Sequence, residues 1–186
     1  SVVILDLSNG YNGMNVKAIG DYAFTGCGSL TQVDFGNDLI SIGADAFNSS
    51  GITEDIVITP NIQTIGEGAF RNIKAKIYNL TDIEIDADNI VKTTSEGSCG
   101  ESTSYKIAGE YMAIRGSGVT EDYSENGQQY NEHINDIKSI YIQEGVTGLG
   151  SRVFCNFSNV TKAEIPETVE TIGAYAMAYT ININDI

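Results

Sequence analysis

The sequence predicts a solenoid of stacked coils, each a short parallel strand followed by a compact helical turn, in two arrays with a small antiparallel β module between them. Three observations carry this. Ile19, Ile42 and Ile65 recur at a constant interval, 42 − 19 = 65 − 42 = 23, each followed by Gly20, Gly43 or Gly66 and, five places on from the Ile, by Phe24, Phe47 or Phe70. After a gap the same interval separates Leu149 from Ile172, with Gly150 and Gly173 behind them and Phe154 and Met177 in the aromatic place. Counted from the start of its strand, each repeat carries apolar residues at steps 0, 2, 6, 9, 13 and 14.

Steps 0 and 2, such as Val33 and Phe35, Ile56 and Ile58 or Ile140 and Ile142, flank one residue that points the other way. That is the period of a strand with one buried face. Steps 13 and 14 pair a small residue with a large one, Ala46 with Phe47 or Ala69 with Phe70, which suits a helical turn laid against its neighbour. The glycine at step 10 answers to a backbone with positive φ or to a close approach at the corner. On this pattern Ile19, Ala23, Phe24 and Cys27 of the first repeat look inward.

The first repeat carries about five extra residues between its strand and Ile19, and beyond Phe70 the phase slips, so the next strand lies at Ile77 or at 83–85. The chain therefore divides into an array over 1–91, a β module and loop over 92–133, and a second array over 134–186. In the module, a two-residue loop at Gly109 and Glu110 pairs Ala108 with Tyr111, Ile107 with Met112 and Tyr105 with Ile114. Tyr105, Ile107, Met112 and Ile114 then share one face, which seals an adjoining array. Residues 124–132, polar and rich in Gln and Asn, read as a loop. After Met177 the pattern calls for apolar residues at Ile183 and Ile186, so the chain reads as a piece of a longer repeat protein.

"AIGDYAFTGCGSLTQVDF", residues 18–35, and "AEIPETVETIGAYAM", residues 163–177, closely resemble the BspA-type leucine-rich repeat. "SEGSCGESTSYKIAGEYMAIRGSGVTEDYS", residues 95–124, resembles the short β module that precedes such repeats in bacterial surface proteins. The resemblance implies a leucine-rich-repeat solenoid from a secreted or cell-surface bacterial protein, serving adhesion to host extracellular matrix or to other cells. A structural spacer that holds another domain away from the cell wall is the alternative.

Composition restricts the chemistry. Ten Lys and Arg against 25 Asp and Glu give a formal charge of −15, which argues against nucleic-acid partners. No stretch approaches the roughly 18 apolar residues of a membrane span, so no membrane insertion is expected. His133, the sole histidine, sits in a polar loop and reads as solvated rather than as a catalytic base. Cys27, at a step shared with Ser50, Ile73 and Phe157, reads as a buried inert thiol, and Cys99 as a structural part of the module. Residues 82–89 gather Asp and Glu without the glycine or distal Glu of a calcium loop. The Asn-x-Ser/Thr sequons at Asn48, Asn79, Asn156 and Asn159 read as incidental in an Asn-rich chain. No catalytic residue, cofactor or metal is expected.

What remains is the outward side of the strands. Step 1 carries Asp34, Val57, Tyr141 and Glu164, and the residue before each strand is Gln32, Asp55, Ser139 or Lys162. This row is the expected partner-binding face.

Overall fold

Alternating apolar residues at steps 0 and 2 make short strands, and these pair in parallel from coil to coil. The computed structural model describes residues 3–8, 10 and 14–180, and the chain splits into two units, Ser1–Lys92 and Thr93–Ile186. Ile183 and Ile186 lie outside the described residues.

Unit 1 contains β1 (Val3–Asp6), β2 (Ala18–Ile19), β3 (Leu30–Asp34), β4 (Ser41–Ile42), β5 (Ile56–Ile58), β6 (Thr64–Ile65), β7 (Ile77–Asn79) and β8 (Ile90–Val91). They form sheets β1-β3, β2-β4-β6 and β5-β7-β8, all parallel. Leu5 pairs with Val33, a step of 33 − 5 = 28 along the chain, whereas Ile19 pairs with Ile42, a step of 42 − 19 = 23. The difference, 28 − 23 = 5, is the insertion seen in the first repeat. Past Phe70 the strand is at Ile77, while Ile83 and Ile85 pack against the core from a loop.

Unit 2 contains β9 (Ser95–Ser98), β10 (Thr103–Ala108), β11 (Tyr111–Gly116), β12 (Gly118–Val119), β13 (Ser139–Ile142), β14 (Val146–Leu149), β15 (Lys162–Glu164) and β16 (Thr171–Ile172). Between β10 and β11 the register is Ala108 to Tyr111, Ile107 to Met112 and Tyr105 to Ile114, the hairpin expected from the Gly109-Glu110 loop. Gly109 has φ of 57°, the left-handed conformation such a loop requires. The hairpin is continuous with the parallel strands that follow it. β11 pairs in parallel with β13, Met112 to Ile140, so the five-stranded sheet runs β15-β13-β11-β10-β9. Thus the module supplies the first coil of this unit as well as its hairpin cover.

The compact turns are not helices; among the described residues the one helical segment is the 3-10 turn Asn131–His133. Their backbone amides alternate in direction. In the first turn Ala23, Thr25 and Cys27 donate within the coil, to the carbonyls of Gly20, Tyr22 and Phe24. Tyr22, Phe24 and Gly26 donate to the next coil, to Ala44, Ala46 and Asn48 at 2.7–2.9 Å. Asp45, Phe47 and Ser49 repeat the pattern onto Glu67, Ala69 and Arg71, and Arg152, Phe154 and Asn156 repeat it onto Ala174, Ala176 and Ala178. A helix would spend all these amides inside the coil. Sending every second one outward requires left-handed residues at steps 12 and 16, and positive φ occurs at Tyr22, Asp45, Gly68, Arg152 and Tyr175 and at Gly26, Ser49, Asn72, Asn156 and Tyr179. For a non-glycine residue that conformation costs about 1–2 kcal/mol, which the inter-coil hydrogen bond and the packing beneath it offset.

The step-10 glycine is therefore a close-approach residue, its φ lying outside the left-handed region. A Cβ on Gly43 would lie 2.4 Å from the Asp21 nitrogen, on Gly66 2.2 Å from the Ala44 nitrogen, on Gly150 2.0 Å from the Glu121 oxygen and on Gly173 2.6 Å from the Ser151 nitrogen. Gly20, in the outermost described coil, has nothing within 4 Å. The same openness corrects the reading of the first repeat: Ala23 and Cys27 are exposed, because no described coil covers them, while Ala46, Ala69, Ser50 and Ile73 at the same steps are buried. Under the turns Phe24, Phe47 and Phe70 stack with centroids 5.2 and 5.7 Å apart and nearly parallel planes.

The polar loop over 124–132 is not a free loop. Tyr130 is fully buried among Tyr105, Tyr123 and Phe157, and its hydroxyl donates to the Val153 carbonyl at 2.8 Å. In a regular coil a step-14 amide of the preceding turn fills that carbonyl, as Phe24 fills Ala46. The buried Gln128 side chain donates at 2.6 Å to the Arg152 carbonyl, which also accepts the Cys155 amide, as the Thr25 hydroxyl donates to the Asp45 carbonyl at the same step of a regular coil. The Tyr130 hydroxyl thus replaces an amide that this irregular coil lacks, and burial drives the Tyr130 phenol well above its usual range.

Two stability experiments check this account. Gly43→Ala or Gly66→Ala will lower unfolding free energy by about 1–3 kcal/mol in urea titrations followed by circular dichroism, whereas Gly20→Ala stays within about 0.5 kcal/mol of the parent. Tyr130→Phe, which keeps the ring but orphans the Val153 carbonyl, will cost about 1–3 kcal/mol in the same titration.

Candidate functional site

On each strand the step-1 side chain emerges opposite the core. In unit 1, β3 carries Gln32 and Asp34 on this side, opposite Ile4 and Asp6 of β1. Asp34 is half-buried and its Oδ1 accepts the Gly36 amide at 3.0 Å, as Asp6 Oδ1 accepts the Ser8 amide at 2.9 Å. Val57 of β5 pairs with Tyr78 of β7, and Asp55 stands exposed just before β5. The expected continuous row is interrupted here. β3 and β5 belong to different sheets, linked where the Thr53 amide donates to the Thr31 carbonyl at 3.1 Å.

In unit 2 one line of residues crosses the whole sheet: Glu96, Lys106, Ala113, Tyr141 and Glu164 are successive cross-strand partners from β9 to β15. Beside it run Tyr111, Ser139 and Lys162. Lys162 Nζ lies 2.7 Å from Glu164 Oε1 and 5.7 Å from the centre of the Tyr141 ring, a cation over an aromatic face. Lys106 Nζ lies 3.9 Å from Glu96 Oε2. Tyr141 lies on this side of the sheet but is only 4% exposed. Lys162 and Glu164 at its side, both half-buried, are what this line offers to a partner. Asp6, Tyr78, Glu96 and Lys106 belong to the same lines and were missed by pattern reading, because their strands fall outside the regular spacing.

The groups with chemical potential are otherwise engaged. His133 sits at the end of the 3-10 turn with its side chain 18% exposed, Nε2 3.5 Å from Glu132 and Nδ1 3.9 Å from Asp136. It is thus a half-buried histidine beside two exposed carboxylates. Cys99 is fully buried with Sγ 3.7 Å from Thr103 Oγ1, and burial pushes its thiol up to about 11. Cys27 is exposed and Cys155 buried. In the acidic stretch 82–89, Asp86 is held 2.9 Å from Arg71 Nη2, and among the described residues no group of three or more His, Cys, Asp or Glu side chains could hold a metal ion.

The model for the BspA-type leucine-rich-repeat region matches residues 7–108 and 120–186 in six copies. No curated protein matches. Among solved structures, a leucine-rich cell surface protein from Faecalibacterium prausnitzii aligns over 98% of this chain and 46% of its own, at 18% identity and a TM-score of 0.37. A leucine-rich-repeat protein from Eubacterium ventriosum aligns over 49% of this chain and 28% of its own, at 18% identity and a TM-score of 0.42. A leucine-rich-repeat protein from Bacteroides ovatus aligns over 92% of this chain and 58% of its own, at 18% identity and a TM-score of 0.30. The chain spans less than two thirds of each of these proteins.

The thiols give a direct check on this environment. At pH 8 an aromatic disulfide reagent will modify Cys27 alone on the folded chain, and Cys27→Ser will remove that reactivity. Cys99 stays protonated and shielded until denaturant is added. Because its folded value is raised, the stability this neutral thiol contributes is complete below the ordinary thiol value of about 8.5 and is lost as pH climbs toward 11.

Proposed function

The chain belongs to the BspA-type leucine-rich-repeat family, and from that premise we propose that it is a non-catalytic module that binds a protein partner through the outward side of its strands. The family match indicates no enzyme family. The observation that carries the reading is the contrast between steps: steps 2, 6 and 9 stay apolar from repeat to repeat, while step 1 changes from Asp34 to Val57 to Tyr141 to Glu164. A scaffold that repeats its core and varies its face is suited to recognition by shape and charge. The division into an array over 1–91, a β module over 92–133 and an array over 134–186 belongs to the same reading, and so does the role of Gln32, Asp34, Asp55, Val57, Ser139, Tyr141, Lys162 and Glu164 as partner-binding residues. The setting is the secreted or cell-surface compartment of a bacterium, with host extracellular matrix or another cell's surface as the adhesion target.

The test is saturable binding of the purified chain to immobilised matrix proteins and to whole cells. A combined Asp34→Ala and Val57→Ala variant, and separately Lys162→Ala with Glu164→Ala, will weaken binding at least about tenfold while circular dichroism stays unchanged. Lack of saturable binding across the panel would support a structural spacer instead.

A further inference from the structure

We propose that the free edge of β9 takes up an extended, basic segment of a partner protein as an added strand, a surface separate from the outward strand faces. β9 is an edge of the five-stranded sheet of unit 2, and it lies in the middle of the chain with described residues on both sides. Its register sets Ser98 against Ser104, Gly97 against Tyr105, Glu96 against Lys106 and Ser95 against Ile107, without a bulge.

Hydrogen-bond parity fixes which groups this edge presents. The Cys99 amide donates to the Thr103 carbonyl and the Ser117 amide to the Ser102 carbonyl, both at 3.0 Å. Odd-numbered residues of β10 therefore serve β9, and even-numbered ones serve β11. By the same alternation Ser95 and Gly97 turn their backbone groups to β10, while Glu96 and Ser98 turn theirs outward. Glu96 and Ser98 are both exposed. The common protections of an edge, a proline, a lysine or a bulge, do not occur in β9. A row of outward N–H and C=O groups is thus ready to pair.

The two faces of the edge select the occupant. On the core face a Cβ added to Gly97 would lie 3.1 Å from Tyr105 Cε1, and the Tyr105 hydroxyl is 3.3 Å from Ser95 Oγ. A partner residue opposite Gly97 meets the border of that ring, so it is small or apolar. On the other face the Glu96 side chain is 55% exposed, and Lys106 across from it is only 7% exposed and 3.9 Å away, which leaves the carboxylate facing solvent. Glu96 and Glu101 are the only charged residues over 93–102, and Glu121, exposed like Glu101, is tied by its amide to the Cys99 carbonyl at 2.7 Å. Residues paired with Glu96 and Ser98 project on this acidic face, because paired positions share a face. The segment that fits therefore alternates basic with small apolar residues, its main chain supplying affinity and its alternate side chains specificity. A second copy of β9 fits worse, since it would bring together two acidic edges of chains that each carry a charge of −15.

Fluorescence anisotropy and amide hydrogen exchange on the full chain, with the labelled peptide Thr-Lys-Val-Lys-Thr-Lys at low salt, test this. Binding will be saturable and will slow exchange of the Glu96 and Ser98 amides at least about tenfold, while the Ser95 and Gly97 amides, already in the ladder, change little. Ser98→Pro removes one outward donor and no bond to β10, and it will weaken binding at least about tenfold with unchanged circular dichroism. Glu96→Lys keeps every backbone group and will shift the preference to the same peptide with Glu in place of Lys. A peptide with proline in place of Thr and Val keeps the charge and will not bind. Absence of saturable binding, binding that leaves the Glu96 and Ser98 amides unchanged, or a proline peptide or Ser98→Pro variant that behaves like its parent would each overturn the proposal. So would sedimentation showing that β9 is instead covered by a second copy, with a dimer that Ser98→Pro dissociates.

Discussion

The structure rests on a division of labour among the turn amides. Half of them close β-turns within their own coil, and the other half reach across to the next coil. This alternation lets so short a coil exist at all. One coil has too little apolar surface to form a core by itself, and the outward amides bind it to a neighbour that completes the burial. The left-handed residues at steps 12 and 16 and the glycine at step 10 are consequences of the same geometry. The first set turns the amides outward, and the second lets two backbones approach more closely than a Cβ would permit.

From that ladder follows a problem of ends, which the chain solves with irregular segments. At the start of unit 2 the regular turn is replaced by a longer excursion, and the Tyr130 hydroxyl donates where a backbone amide would have been. Thr120 does the same at the strand corner, its hydroxyl accepting the Gly150 amide at 2.7 Å in place of a carbonyl. Asp21 and Asp122 occupy the same step in their coils, and each accepts the amide at the corresponding step of the next coil, Ala44 or Ser151. The Ser151 contact holds the Asp122 carboxyl below its ordinary range. The segments that look least structured in composition therefore carry the side-chain hydrogen bonds that end an array.

The candidate face follows from strand parity, and parity is legible where the spacing is regular. Asp34, Val57, Tyr141 and Glu164 lie on the side away from the core, as alternation requires. Alternation does not reveal what lies over a residue, so Tyr141 could be placed on the correct side while its burial remained hidden. Tyr78, one residue into a strand whose phase had slipped, and Lys106, in an antiparallel hairpin, join the lines only through register. Tyr130 was hidden for a related reason. A single residue in a polar stretch has no period, and the burial of Tyr130 comes from contacts remote in sequence.

The sequence by itself determined the coil: its repeat length, the residues that face the core, the hairpin at Gly109 and Glu110, and the insertion in the first repeat. These follow from local periodicity and turn chemistry, which act over a few residues. Only the tertiary structure decided that the turns are ladders rather than helices, that the step-10 glycine is needed for space rather than for positive φ, and that Cys27 lies open while Ile73 at the same step is buried. Each of those depends on the presence of a neighbouring coil and on which side it lies, and a repeat of identical pattern carries no mark of its position in the stack.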